Sequence, residues 1–196
     1  MQMKSICVYC GSNFNGDPIV RTAIENLAQA LTDQNITLVY GGGSVGVMGV
    51  IADEVLKRNG NVTGVIPQFL MDKEVGHQSL TQMIVTENMH ERKQTMADLS
   101  DGFIVLPGGF GTLEEFFEVL TWLQLGLHGK AIGVLNVGGF YDPLFAQMDL
   151  MVEHRFLKPA NRALVFNESD PFVLIDKMNK FDSVPDEVWF KDRNLS

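Results

Sequence analysis

The chain has 196 residues, of which 45% are hydrophobic, and it carries a formal net charge of −9. This length and composition are typical of one globular domain with a substantial core, and no apolar run approaches the roughly 18 residues of a membrane span. An acidic surface argues against nucleic acid as the main partner. The N-terminus leads straight into a predicted strand, without a signal-peptide pattern. We therefore expect one domain over residues 1–181 with no membrane partner, followed by a polar tail over 182–196.

Short apolar segments alternate with helical patterns along the chain. Strands are predicted at residues 5–9, 36–40, 62–66, 82–86, 103–106, 131–135 and 163–166. Helices are predicted from 18 to about 34, from 49 to about 58, over 89–100, from 113 to a stop at 126 or 129, and over 141–153 and 170–181. The polar segment 68–79 is predicted to be a surface loop. The alternation predicts a doubly wound, mostly parallel α/β sheet flanked by helices, with ligand-binding loops along one edge.

Cys7 and Cys10 form a C-x-x-C pattern, which is found in redox and zinc sites. No second cysteine pair or histidine cluster accompanies them, and Cys7 falls inside a predicted strand instead of at a helix start. The four histidines show no ligand spacing. We therefore expect a reduced cytoplasmic protein without a bound metal or cofactor.

Two segments that follow the first two strands are candidates for ligand binding. Ser12 stands at the carboxyl end of the first strand, where open α/β sheets bind ligands, although it is equally well explained as a turn residue. The second strand leads into a glycine-rich turn that matches G-x-G-x-x-G. It follows the second strand instead of the first, and no acidic residue ends the next strand to hold a ribose. The turn, with Gly42 and Gly43, is therefore interpreted as one wall of a mononucleotide site.

The strongest motif is residues 107–115, Pro-Gly-Gly-Phe-Gly-Thr-Leu-Glu-Glu. Gly108, Gly109 and Gly111 stand where a strand gives way to a helix, so bare backbone amides and the positive end of a helix dipole would face a ligand. A phosphate is the expected occupant. The alternative is an ordinary turn in which Thr112 is the N-cap and Glu115 its capping-box partner.

The same motif resembles the P-G-G-x-G-T-x-x-E signature of the LONELY GUY family. Segments 89–93 and 41–49 resemble that family as well, and the similarity extends from about residue 5 to about 180. Members are cytokinin riboside 5′-monophosphate phosphoribohydrolases, long mislabelled as lysine decarboxylases. The resemblance implies a Rossmann-like fold, a homodimer or higher oligomer, and hydrolysis of the N-glycosidic bond of a nucleoside 5′-monophosphate.

Individual roles follow from the resemblance, position by position. It implies that Arg92 and Glu115 are the catalytic pair. Positions that match substrate contacts are Lys93, the loop 109–115 with Glu114, Thr121 on the following helix, and Glu74. Glu74 stands in a loop that departs from the plant pattern, which leaves the choice between adenine and an N6-prenylated adenine open.

The residues themselves are consistent with this chemistry. Cleavage of a ribosyl C–N bond builds positive charge on the sugar, and a carboxylate can stabilise that charge or deprotonate water. Glu115, expected in the first turn of the motif helix, is the candidate, and Glu114 is its rival. Arg92 would contact the substrate or Glu115. No P-loop lysine motif is present, so phosphoryl transfer is disfavoured.

Two alternative functions make different demands on these residues. A non-catalytic nucleotide-binding module would use the same loops but would need no carboxylate near a ribose. A lysine decarboxylase would need pyridoxal phosphate on a Schiff-base lysine with an acidic partner, and Lys93 has no evident partner of that kind.

The motif helix is apolar nearly all round, which predicts a second buried face. Val119 and Trp122 are expected to belong to an exposed apolar patch. A two-fold interface is the commonest way to cover such a patch. The alternative is that the C-terminal helix of the same chain covers it.

Overall fold

The computed structural model of the protein describes residues 2–74 and 76–182, and the side chains of residues 72–74 lie outside that description. Within those ranges no helix is both long and apolar enough to cross a bilayer. The predicted tail, residues 182–196, lies outside the described residues except for its first residue.

A seven-stranded sheet forms the centre of the molecule, and every pair of neighbouring strands is parallel. The strands are β1 Ser5–Tyr9, β2 Thr37–Tyr40, β3 Val62–Pro67, β4 Gln82–Thr86, β5 Gly102–Val105, β6 Ala131–Leu135 and β7 Val165–Glu168. Their order across the sheet is β4-β3-β2-β1-β5-β6-β7. The chain therefore winds one way from β1 to β4 and the other way from β5 to β7. The predicted doubly wound, Rossmann-like α/β fold is confirmed.

The described part of the chain contains eight α-helices. They are α1 Pro18–Asp33, α2 Gly46–Lys57, α3 Gln68–Glu74, α4 Met89–Asp98, α5 Phe110–Gln124, α6 Asp142–Glu153, α7 Pro159–Arg162 and α8 Pro171–Asn179, with a 3-10 turn at Val137–Gly139. The predicted loop at 68–79 was wrong in its first half, because Phe69, Leu70 and Met71 continue directly from β3 as helix α3. Asp170 caps the last helix, since its carboxylate accepts the amide hydrogen of Phe172 at 2.8 Å.

Two apolar layers bury the faces of the sheet. Helices α1, α2 and α8 cover one face through residues such as Leu27, Ile51 and Leu174, and α4, α5 and α6 cover the other through residues such as Met96, Phe116 and Phe145. Alternation along β1 sends Cys7 to the second layer, while Cys10 belongs to the first. Both thiols are buried and free, and their placement in different layers is a geometry unsuited to a disulfide.

Helix α5 packs on the sheet through a single stripe, and Val119 belongs to that stripe. Its buried residues are Thr112, Phe116, Val119 and Leu123. The prediction that Val119 is exposed was therefore wrong, because this residue points into the layer that packs on the sheet. Phe117 is 36% exposed and Trp122 is partly buried. Helix α8 lies on the opposite face of the sheet, so it does not cover the outer side of α5.

Candidate active site

A cleft of about 830 Å³ opens where the winding of the sheet reverses. The loops after β1 and β5 meet there, because the backbone amide of Gly11 donates to the carbonyl of Pro107 at 3.1 Å. Such switch points are where open α/β sheets bind their ligands. The residues that line the cleft include Cys10–Asn15, Asp17, Val20, Val47, Met48, Met89, Arg92, Pro107–Thr112, Glu114, Glu115 and Phe140.

The motif loop ends in an uncapped helix terminus that faces this cleft. Helix α5 begins at Phe110, with Gly109 as its N-cap, and no side chain within the described residues caps it. Thr112 is therefore inside the helix, so the alternative with Thr112 as N-cap and Glu115 as its capping-box partner was wrong. The first amides of α5 are left for a ligand, and together with the helix dipole they favour an anion.

Two of the motif glycines leave open space beside these amides. A Cβ atom built on Gly109 or Gly111 would come within 4 Å of none of the described atoms outside its immediate chain neighbours and, for Gly111, the backbone of its own helix. Gly108 has a different role, because a Cβ there would lie 2.1 Å from Oγ1 of Thr112. Gly108 thus lets the loop close on α5, while Gly109 and Gly111 leave the space beside the first amides of α5 open.

Arg92 is fixed beside the cleft by the ends of two strands. It lies in α4, and it is 7% exposed. Its Nε donates to the carbonyl of Val65 at 3.1 Å and its Nη2 to the carbonyl of Gly41 at 2.9 Å. A Cβ on Gly41 would lie 2.2 Å from Nη2, so glycine makes room for the guanidinium. Gly41 was not among the predicted site residues, although it directly follows the predicted second strand.

Glu115 lies in the second turn of α5, not in the first as expected, and it lines the same cleft. Burial raises the pKa of its carboxyl group to about 7, while Arg92 acts in the opposite direction. The negative charges of Glu114 and Glu118 raise this pKa further, and Lys93 lowers it. A group with this pKa is present in both protonation states near neutral pH, which suits it to act as a general base.

Lys93 and Glu114 bind each other instead of leaving both side chains free. The Lys93 ammonium group donates to Oε1 of Glu114 at 2.6 Å and to Oε1 of Glu118 at 2.9 Å. Lys93 is buried and is not among the residues that line the cleft. Of the two rival carboxylates, Glu115 is thus the more buried one beside Arg92, and Glu114 is the ion-paired one.

The other predicted site residues lie in three different places. Ser12 is exposed and lines the cleft. Gly42 and Gly43 do not line it, because the segment after α3 covers them: the Gly42 carbonyl accepts the amide hydrogen of His77 at 3.1 Å, and Gly43 forms a β-bridge with Gly76. Thr121 is exposed on the outer side of α5. The side chain of Glu74 lies outside the described residues.

Sequence reasoning missed several residues that shape the cleft. Phe14 and Phe140 line it, and no local pattern marks them. Tyr141 is buried, and its hydroxyl donates to the carbonyl of Leu106 at 2.8 Å, which holds the strand end that precedes the motif. Within the described ranges, no three His, Cys, Asp or Glu side chains are grouped so that they could hold a metal ion.

Known proteins resemble this chain in both sequence and fold. The family model described as "Possible lysine decarboxylase" matches residues 48–178. The cytokinin riboside 5′-monophosphate phosphoribohydrolase LOG5 of Arabidopsis thaliana is 42% identical over 98% of this chain and 84% of its own length. The probable cytokinin riboside 5′-monophosphate phosphoribohydrolase LOGL1 of Oryza sativa subsp. japonica is 45% identical over 93% of this chain and 82% of its own length.

Solved structures agree with the architecture. The molybdenum cofactor binding protein of Rippkaea orientalis superposes with a TM-score of 0.67 at 22% identity, covering 92% of this chain and 98% of that one. The Moco carrier protein of Chlamydomonas reinhardtii superposes with a TM-score of 0.67 at 18% identity and the same coverage. At such identities the likeness concerns the fold alone. The sequence relatives go further: the chain belongs to the LONELY GUY family, whose motif its α5 loop carries.

Proposed function

We propose that this protein hydrolyses the N-glycosidic bond of a purine nucleoside 5′-monophosphate and releases the free base and ribose 5-phosphate. One observation carries the proposal: the half-buried carboxylate Glu115 and the buried cation Arg92 share a cleft with the uncapped start of α5. Relatives with 42% and 45% identity bear the name of such an enzyme. A cytoplasmic location is proposed with it, since both described cysteines are free thiols.

The proposed reaction uses these groups as follows. The phosphate binds the amides of residues 110–112, which places the ribose deeper in the cleft, toward Glu115. The C1′–N bond breaks as positive charge grows on the sugar, and a water oxygen bonds to C1′. Glu115 stabilises this charge and accepts the proton that the water loses. The departing base takes up a proton from solvent, and Glu115 returns its proton to solvent, so the net reaction consumes one water. Arg92 supplies fixed positive charge that favours the ionised form of Glu115.

The base is proposed to be adenine or an N6-prenylated adenine. Phe14, Val20 and Phe140 contribute apolar surface to the cleft, and Phe140 is 53% exposed. Aromatic and aliphatic side chains of this kind can pack against a purine ring or an alkyl group on it.

The test is direct. Purified protein is incubated with a panel of nucleoside 5′-monophosphates, including AMP and N6-isopentenyl AMP, and released bases are identified by chromatography. Release of base together with ribose 5-phosphate supports the proposal. Tight binding of a nucleotide without base release would instead identify the non-catalytic binding module.

The decarboxylase suggested by the name of the family model is disfavoured by the state of Lys93. Burial lowers the pKa of this amine, but hydrogen bonds to Glu114 and Glu118 outweigh burial and leave the pKa above its usual value. A Schiff base with pyridoxal phosphate needs a neutral lysine amine. Lys93 is instead a protonated partner of two carboxylates.

A phosphate on the substrate should be required for efficient turnover. We expect kcat/KM for adenosine to be lower than for AMP by a factor on the order of a hundred or more, because anchoring energy at the α5 amides positions the distant C1′ atom. Chelator should leave the AMP reaction unchanged, since amides and not a metal bind the phosphate. Equal kcat/KM for adenosine and AMP, measured by base release, would contradict this prediction.

We also propose that the protein forms a homodimer through the outer side of α5. A shallow groove of about 450 Å³ runs along that side, lined by Leu113, Glu114, Phe117, Glu118, Thr121 and Trp122. Exposed apolar grooves of this kind mark protein interfaces. Glu114 also lines the cleft, so the interface would adjoin the active site and place Thr121 beside it.

The substitution Trp122→Glu should dissociate this dimer and lower activity, because it places a charge in the apolar groove. Light scattering after size exclusion measures the mass, and the monomer is 21.8 kDa. The control is Phe156→Glu, since Phe156 is 86% exposed in the segment between α6 and α7; the mass of this variant should match that of the wild type. A wild-type protein that is monomeric at micromolar concentration would refute the proposal.

A further inference from the structure

Lys93 is the buried charge that the proposed mechanism does not use. Its side chain is 10% exposed and its ammonium group contacts both Glu114 and Glu118, whereas the cleft is lined by its neighbour Arg92. Burying an ammonium group costs free energy unless it is paired. Lys93 can therefore influence the site only through the two carboxylates that it binds.

This ion pair lies directly beside the proposed catalytic pair in the sequence. Lys93 directly follows Arg92 on α4, and Glu114 directly precedes Glu115 on α5. The contacts of 2.6 and 2.9 Å thus join the two helices at the residues adjacent to the proposed catalytic pair. Glu114 and Glu118 are four residues apart, so they occupy one side of the helix, where two like charges repel each other unless a cation lies between them.

We propose that Lys93 is a positioning residue: by binding Glu114 and Glu118 together it fixes α5 against α4 and holds Glu115 opposite Arg92. The inference rests on the proposed hydrolysis, in which Glu115 acts as the base. It differs from the substrate contact that the family resemblance implied for Lys93, because the ammonium group is directed at protein carboxylates.

The charges around Glu115 indicate what the loss of Lys93 does. The groups that face this carboxyl group are the cations Arg92 and Lys93 on α4, the carboxylates Glu114 and Glu118 on α5, and the buried, neutral Cys7, Tyr9 and Cys10 at β1. Three carboxylates therefore share two cations. Without Lys93 the negative charges of Glu114 and Glu118 are unopposed, and the proton on Glu115 is bound more tightly.

The test compares three variants by the pH at which kcat/KM reaches half its maximum. In Lys93→Met this midpoint should rise by about one pH unit, which is a tenfold loss of kcat/KM on the acidic side, and activity should largely return at pH 9. Lys93→Arg should keep the wild-type midpoint, because a guanidinium can bind both carboxylates. Glu118→Gln should lower the midpoint, because it removes a negative charge near Glu115.

Two results for Lys93→Met would show that Lys93 does not position Glu115. A uniform loss of activity at every pH in Lys93→Met, with a raised KM, would overturn the inference in favour of a substrate contact, and an unchanged profile would also overturn it. If Lys93→Met does not fold, Lys93→Gln takes its place, since it keeps a hydrogen-bond donor but carries no charge, and its midpoint should rise in the same way. Titration of the Glu115 carboxyl carbon by NMR, assigned by its absence in Glu115→Gln, gives the same midpoints without activity. A wild type that cleaves no nucleotide would refute the proposed function, and this titration would still test Lys93.

Discussion

Replacing Glu115 with glutamine should lower kcat by a factor on the order of a hundred or more, because the amide can neither accept a proton nor carry negative charge toward the sugar. The fold should not suffer. Burial raises the pKa of Glu115 to about 7, so the ionised carboxylate is less favourable in the folded chain than in the unfolded one. A neutral side chain of the same shape relieves this cost.

The raised pKa of Glu115 also determines how the stability of the wild type changes with pH. The folded-state pKa lies above the ordinary value of 4.5, so the wild type loses stability as pH rises from 4.5 to about 7, and the loss is complete above that. The melting temperature of Glu115→Gln should therefore equal that of the wild type at pH 4 and match or exceed it at pH 8. The wild-type kcat/KM should fall about tenfold per pH unit below 7.

The matched control is Glu153→Gln, since Glu153 is an exposed glutamate at the end of α6. It should retain wild-type kcat and the wild-type pH profile. Full activity in Glu115→Gln combined with an inactive Glu114→Gln would show that the other carboxylate is the base.

Replacing Arg92 with lysine should also lower kcat about a hundredfold, but here the melting temperature should fall as well. The guanidinium donates hydrogen bonds to the carbonyls of Val65 and Gly41 at the same time, and an ammonium group cannot reach both. Each lost hydrogen bond from a charged group to a buried carbonyl costs about 1.5–3 kcal/mol of folding stability. Base release from AMP and thermal unfolding at one pH measure the two effects.

Gly41→Ala provides an independent test of the same geometry. A methyl group at Gly41 would lie 2.2 Å from Nη2 of Arg92, so it displaces the guanidinium without changing any charge. We expect kcat to fall as it does in Arg92→Lys. Arg162→Lys, at a surface ion pair with Asp149, is the control and should be active. A fully active Gly41→Ala would mean that the exact position of Arg92 is unimportant.

Local patterns predicted most of the architecture and the motif loop. The strands are short apolar runs and the helices have 3.6-residue periodicity, so each element carries its own signal. The alternation of the two then constrains the topology. Helix α3 was predicted as a loop because the charged residues of segment 68–79 suggested an exposed connection, although the segment begins with a helix-forming run.

Contacts between residues far apart in the sequence could not be predicted from local patterns. Arg92 meets Gly41 across 51 positions and Tyr141 meets Leu106 across 35, and neither contact leaves a periodic pattern. The wrong prediction for Val119 has the same cause. Periodicity shows that a helix has a second apolar side, but it does not show which of the apolar residues pack against the sheet. Gly42 and Gly43 were assigned to the cleft because a glycine-rich turn looks the same whether a ligand or another loop covers it.

The reversal of winding between β1 and β5 divides the proposed catalytic pair between two halves of the chain. Arg92 belongs to the half that ends with α4, and Glu115 belongs to the half that begins with β5. Neither half contains a complete set of catalytic groups. The proposed catalytic pair is therefore complete only when the two halves of the chain pack together, through the pairing of β1 with β5 and the ion pairs of Lys93 with Glu114 and Glu118.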